Sequence, residues 1–215
     1  MTSTPGSAGR TDAPTPPPSE LPARVERFTR AERRVHRATA VLTLTCVATA
    51  AFLYLPFLAE LVGRRHLVVT VHIWTGVLIP VPYLLGLFSR AFRADLRRIG
   101  RFAPYDRDWL RAARRRELVR PAGKFNAGQK LYAGWIAGAV LVMLGTGLLM
   151  WFTHLAPVLW RTGATFVHDW LALLIGVVVA GHLWTALTHP ESRVGMRTGT
   201  VDRTWAENEH PHWHP

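Results

Sequence analysis

Cysteine occurs once in the 215 residues, as Cys46, and lysine only twice, as Lys124 and Lys130, against 24 arginines. A lone thiol excludes an internal disulfide, a C-x-x-C pair, a covalently attached c-type haem and an iron–sulfur cluster held by this chain alone. The shortage of lysine reads as genome composition and carries no chemistry by itself. Charge of either sign is also scarce, 19% of residues against 49% hydrophobic, and mean hydropathy is slightly positive at +0.10. Nearly all the charge lies in residues 1–37, 89–130 and 191–215, which excludes a uniform soluble domain.

What remains between the charged blocks is four apolar runs, Ala38–Leu58, Leu67–Phe88, Leu131–Phe152 and Thr165–Thr188. About 20 apolar residues at 1.5 Å rise span a bilayer core of roughly 30 Å, so each run is long enough to cross once as a helix. In lipid a helix satisfies its own backbone hydrogen bonds, and short connections within each half give two antiparallel hairpins. The expected fold is all-α, a transmembrane four-helix bundle. Pro80 and Pro82 fall inside the second run and predict a bend rather than an end. Asp106–Arg116 reads as a short amphipathic surface helix in the long central loop.

Of the 26 Lys and Arg residues, 7 precede residue 40, 13 lie between Arg90 and Lys130, and 3 follow Pro190. Only Arg64, Arg65 and Arg161 occupy the opposite connections. Under the positive-inside rule both termini and the central loop are expected in the cytoplasm of a multi-pass protein of the cell membrane. This distribution accounts for the net charge of +12 without nucleic acid. The Pro-rich start, with Pro14, Pro16, Pro17 and Pro18, has too little apolar surface to repay ordering and reads as a disordered tail. No cleavable signal peptide is evident, so the first run is expected to stay as a signal anchor.

Six of ten histidines, His66, His154, His189, His210, His212 and His214, belong to loops or ends and read as background. The HPHWHP tail lacks a carboxylate or cysteine at ligand spacing and reads as solvated. His36 stands at the mouth of the first run, His72 in the second, and His168 and His182 in the fourth. Ionisable groups inside a membrane are costly and usually functional. His168 and His182 are 14 residues apart, which places them on one face about 40° apart and roughly 21 Å along the axis. The alternation of helix directions then pairs His72 with His168 near the outer side and His36 with His182 near the inner side.

Two neutral imidazoles facing each other suit a planar metal porphyrin, each supplying one axial nitrogen. Zinc or copper fits less well, because only two ligands are present at each depth. Filling both axial positions favours electron transfer over ligand chemistry. Gly76, Gly134, Gly138, Gly145, Gly147 and Gly181 offer either space for a porphyrin or close helix packing, and both remain open.

Three sequence elements carry a family resemblance: GKFNAGQK at Gly123–Lys130, the ending GTVDRTWAENEHPHWHP from Gly199, and the His-x13-His of the last run. With these, residues 30–215 resemble the cytochrome b (gamma) subunit of membrane-bound respiratory formate dehydrogenases. The resemblance implies two b-type haems (protohaem IX), with His72 and His168 on the outer iron and His36 and His182 on the inner. It also implies a quinone site at Asn126, Gly128 and His182, with menaquinone the expected species. Asn126 considered alone reads as a cap of the third helix. Arg37 departs from the family, where an aromatic often follows the first ligand.

The expected organisation is a disordered cytoplasmic tail (1–29), a diheme cytochrome b domain (30–190) and a cytoplasmic C-terminal tail (191–215). The expected function is a membrane anchor that takes electrons from an iron–sulfur (beta) subunit, itself fed by a molybdopterin catalytic (alpha) subunit, to a quinone. It would not oxidise formate by itself, and a higher oligomer of the complex is compatible with this reading. The alternatives are the cytochrome b subunit of another molybdenum oxidoreductase or a hydrogenase, and a proton-coupled transporter, which the expectation of no carboxylate within the membrane and no inverted repeat disfavours.

Overall fold

A computed structural model describes residues 23–117, 120–154 and 156–214. The Pro-rich stretch from Pro14 to Pro18 lies outside the described residues. Four spans are long and apolar enough to cross a membrane, Arg30–Tyr54, Arg65–Gly86, Ala127–Trp151 and Val158–Thr188. Each contains or overlaps one of the expected runs. Few of their residues are fully buried within the chain. Val41, Leu141, Leu173 and Val177, for example, are 60% exposed or more, as suits faces that meet lipid.

The first helix, α1 (Arg30–Tyr54), begins eight residues before the apolar run does. A capping box explains the early start: Thr29 N donates to Glu32 Oε2 at 2.6 Å, and Glu32 N donates to Thr29 Oγ1 at 3.4 Å. A short helix, α2 (Pro56–Val62), turns the chain at Gly63, whose φ of 61° favours glycine. The second span consists of α3 (Arg65–Leu78) and α4 (Pro80–Gly86). Between them Ile79 keeps helical angles, φ −53° and ψ −40°, and its N–H bonds Gly76 O at 3.2 Å. Pro80 and Pro82 therefore interrupt the span without ending it.

Helices α5 (Arg90–Ile99) and α6 (Pro104–Arg114) form the central loop. The latter corresponds to the predicted surface helix, whereas α5 was not anticipated. The remaining spans are α7 (Ala127–Trp151) and α8 (Val158–Thr188). The first span packs most closely on α3 and α7 on α8, while α1 also meets α8 and α3 meets α7. These contacts close a bundle of four spans.

At the end of the bundle that carries His36, the flanking segments fold together. Strands β1 (Arg24–Glu26) and β2 (Thr200–Asp202) pair antiparallel, with Val25 opposite Val201. Helices α9 (Pro190–Thr198) and α10 (Arg203–Glu209) flank β2. Val25, Val201 and Ala206 form a small core against Trp205 and Trp213. Residues 24–29 and 191–214, read from sequence as parts of two tails, thus meet in one cap.

Candidate functional site

The four intramembrane histidines come together in two pairs. His36 on α1 faces His182 on α8 with ring centroids 6.3 Å apart, and His72 on α3 faces His168 on α8 at 6.2 Å. Each pair is thus assembled from a different hairpin partner across the bundle, and the spacing of His168 and His182 along α8 puts the pairs at two depths.

Their surroundings differ. Thr49 Oγ1 lies 2.8 Å from His72 Nδ1, and Thr146 Oγ1 lies 3.0 Å from His168 Nδ1. At the other level the Tyr132 ring stacks on His182, centroids 5.0 Å apart and 16° from parallel. The glycines also divide. A Cβ on Gly147 would stand 3.4 Å from His168 Cε1, at the near edge of ordinary contact, and one on Gly76 would stand 3.9 Å from Cys46 Sγ, an ordinary contact. A Cβ on Gly134, Gly138, Gly145 or Gly181 would meet nothing within 4 Å, leaving open space beside α7 and α8.

Asn126 caps α7. Its Oδ1 accepts from Gln129 N at 2.9 Å, and its own N donates to Gln129 Oε1 at 3.0 Å. The cap engages the carbonyl oxygen, so Nδ2 is the group that could donate to a ligand. Gly128 sits under Trp109, whose ring would be 3.0 Å from an added Cβ. Tyr132 follows one turn later on the same face and reaches His182. Through Tyr132 the start of α7 is connected to the His36–His182 pair.

Three successive carbonyls leading into α7 are tied down from the cap. His212 N donates to Ala122 O at 3.0 Å, His210 Nδ1 to Gly123 O at 2.6 Å, and an Arg27 guanidinium N–H to Lys124 O at 2.8 Å. Burial, reinforced by the Arg27 charge, lowers the His210 pKa to about 4. Arg27 stacks over Phe28, Trp205 and Trp213. Burial lowers its pKa to about 10, against the opposing pull of Asp95. The C-terminal histidines, read as solvated background, are therefore not equivalent: His210 is buried and His212 stacks on Tyr105 at 4.7 Å.

Both lysines of the chain are buried ion-pair partners. Lys130 Nζ is 2.7 Å from Asp106, which is fully buried. Lys124 bonds Asp95 and lies 3.6 Å from Glu32. Burial and the Glu32 carboxyl push the Asp95 pKa up to about 6, partly offset by Lys124 and Arg98. The expectation of no carboxylate within the membrane is corrected by Asp169, which lies inside the fourth run and accepts from the Tyr54 hydroxyl next to His168.

Opposed imidazole pairs within a bundle of membrane-length helices define a membrane cytochrome of the b type. Residues 27–198 match the prokaryotic cytochrome b561 family, and the chain belongs to that family. It is similar to the formate dehydrogenase cytochrome b556(fdo) subunit of Escherichia coli K12, at 29% identity over 88% of this chain and 92% of the relative. The nitrate-inducible formate dehydrogenase cytochrome b556(Fdn) subunit of the same organism is 30% identical over 45% of this chain and 46% of its own. The formate dehydrogenase cytochrome b556 subunit of Haemophilus influenzae is 25% identical over 80% and 74% respectively.

The family implies b-type haem, and the observed spacing can be tested against it. A metal–imidazole bond is about 2 Å and a ring nitrogen lies about 1 Å from its ring centre, so two axial imidazoles sharing one metal have centroids about 6 Å apart. Separations of 6.2 and 6.3 Å fit that requirement at both levels. Among the described residues no cluster of three or more His, Cys, Asp or Glu competes as a metal site.

Proposed function

We propose that this chain is the diheme cytochrome b subunit of a formate dehydrogenase-type complex. It anchors an iron–sulfur and a molybdopterin subunit and moves electrons across the membrane to a quinone. The observation that carries this reading is the presence of two imidazole pairs at two depths with the separation of axial ligands. The similarity to three formate dehydrogenase cytochrome b556 subunits supports the choice of complex.

In this reading His72 and His168 hold one haem and His36 and His182 the other. Bound there, haem supplies one-electron redox chemistry. The chain's own contribution is orientation: four helices fix the imidazoles, and the apolar spans keep water from the pairs. The 23 to 3 bias of basic residues supports cytoplasmic termini, with the His36–His182 pair on that side. Asn126 Nδ2 and the backbone N–H of Gly128, in the unpaired first turn of α7, are the donors for a quinone carbonyl. Menaquinone is the proposed species. His182 links this first turn to the inner pair through Tyr132.

The test is a reduced-minus-oxidised spectrum of the purified complex with its copurifying subunits identified. The proposal expects b-type bands that formate reduces and a short-chain naphthoquinone reoxidises. Copurification with a different dehydrogenase, or b-type bands that formate leaves oxidised in the intact complex, would contradict it.

A further inference from the structure

The outer histidine pair is backed by hydroxyl groups, and the inner pair is not. Thr49 on α1 reaches His72 on α3, and Thr146 on α7 reaches His168 on α8, so each hydroxyl comes from the hairpin partner of the helix that carries the imidazole. Two hairpins unrelated in local sequence make the same contact. Among the described residues neither His36 nor His182 has a hydroxyl hydrogen-bonded to its ring.

The direction of these bonds follows from what a metal on Nε2 requires, and the hydroxyl contacts are compatible with it. A threonine hydroxyl has one hydrogen and two lone pairs. Thr49 Oγ1 is 2.7 Å from Thr45 O and 3.0 Å from Cys46 O. Thr146 Oγ1 is 2.8 Å from Val142 O and 3.2 Å from Met143 O. Carbonyl oxygens only accept, so these contacts give each hydroxyl hydrogen a place on its own helix. A metal on Nε2 needs that nitrogen's lone pair, so Nδ1 carries the proton and the threonine oxygen is its acceptor.

We propose that Thr49 and Thr146 are positioning residues that fix both outer imidazoles as Nδ1–H tautomers and make the outer haem the lower-potential one of the two. This inference rests on the haem reading above. Accepting a hydrogen bond from Nδ1–H makes the imidazole a more basic ligand, which favours the oxidised metal. The inner pair lacks that bond and has only the Tyr132 ring against His182. A potential that rises from the outer to the inner level directs electrons towards the inner level.

The experiment is a spectroscopic redox titration of the purified full complex. Thr49→Val and Thr146→Val keep the side-chain shape and remove the hydroxyl, while Thr→Ser at each position keeps the hydroxyl. His72→Ala and His36→Ala identify the signals of the outer and inner haems. Each valine variant should shift the outer potential upward and leave the inner one in place, and each serine variant should hold the wild-type value. Loss of the outer haem alone in a valine variant, with retention in the serine variant, also supports the inference. Unmoved potentials with haem content intact would overturn it. So would a shift of the inner haem, or loss of both haems together. A wild-type complex with fewer than two haems per chain instead overturns the haem reading itself, so the two failures are distinguishable.

Discussion

His210, five residues from the end of the chain, donates its Nδ1–H to the carbonyl of Gly123 across 2.6 Å. The bond ties the C-terminal segment to the stretch that leads into α7, and with it to Asn126 and Gly128. A ring nitrogen can donate here only while it carries a proton, and burial keeps the other nitrogen neutral, which is why the pKa falls to about 4.

A pH dependence follows. The folded-state pKa of about 4 lies below the unfolded value of about 6.5, so between them the unfolded chain binds more protons. His210 therefore contributes fully above about pH 6.5, and the contribution, on the order of 3 kcal/mol, is lost as pH falls towards 4. Hydrogen exchange in β1, β2 and α10 should accelerate across that window. In His210→Gln, which cannot titrate, the acceleration should be largely absent. An equally steep response in both proteins would remove His210 as its source.

The Lys130–Asp106 pair predicts a second outcome. Removing one member of a buried ion pair leaves an uncompensated charge, at a cost of about 3–5 kcal/mol. Lys130→Met should lower the thermal midpoint in detergent markedly, because Asp106 is fully buried. Adding Asp106→Leu should recover much of the loss. A single variant as stable as wild type would show that the charge is hydrated.

Asn126 can be assigned by separating its two ends. Asn126→Asp keeps an oxygen for Gln129 N and removes the Nδ2 donor, whereas Asn126→Ala removes both. The alanine variant should cost about 1 kcal/mol of helix stability. If Nδ2 serves the quinone, both variants should slow quinone reduction while formate still reduces the haems. Wild-type quinone kinetics in Asn126→Asp would leave Asn126 as a cap only.

Gly147 and Gly134 provide a matched contrast on α7. A methyl on Gly147 would touch His168 at 3.4 Å, whereas one on Gly134 would meet nothing within 4 Å. Gly147→Ala should perturb the spectrum or content of the outer haem, and Gly134→Ala should leave it unchanged. Equal effects would assign both glycines to general packing.

The spans were legible because hydropathy is a local property of about 20 consecutive residues. The histidine pairing was legible because alternating helix directions leave little choice of partner. Other features depend on contacts between residues distant in sequence. Arg24 and Thr200 are hydrogen-bonded across 176 positions, and neither β1 nor β2 has a run long enough to announce a strand. The early start of α1 could have been read from Thr29 and Glu32, whose spacing is that of a capping box. The two lysines offered a further signal. In a chain that otherwise uses arginine, both sit in buried ion pairs, so their rarity marks positions and not only composition. Thr49 and Thr146 gave no such signal, since a threonine in an apolar helix usually satisfies its hydroxyl on its own backbone.

The central claim is that two opposed imidazole pairs each hold one haem, and haem counting in single-histidine variants tests it most directly. Pyridine haemochrome analysis should give two protohaems per wild-type chain. His72→Ala and His168→Ala should each remove the same one, and His36→Ala and His182→Ala should each remove the other. One haem in the wild-type protein, or His72→Ala and His168→Ala removing different haems, would contradict the account.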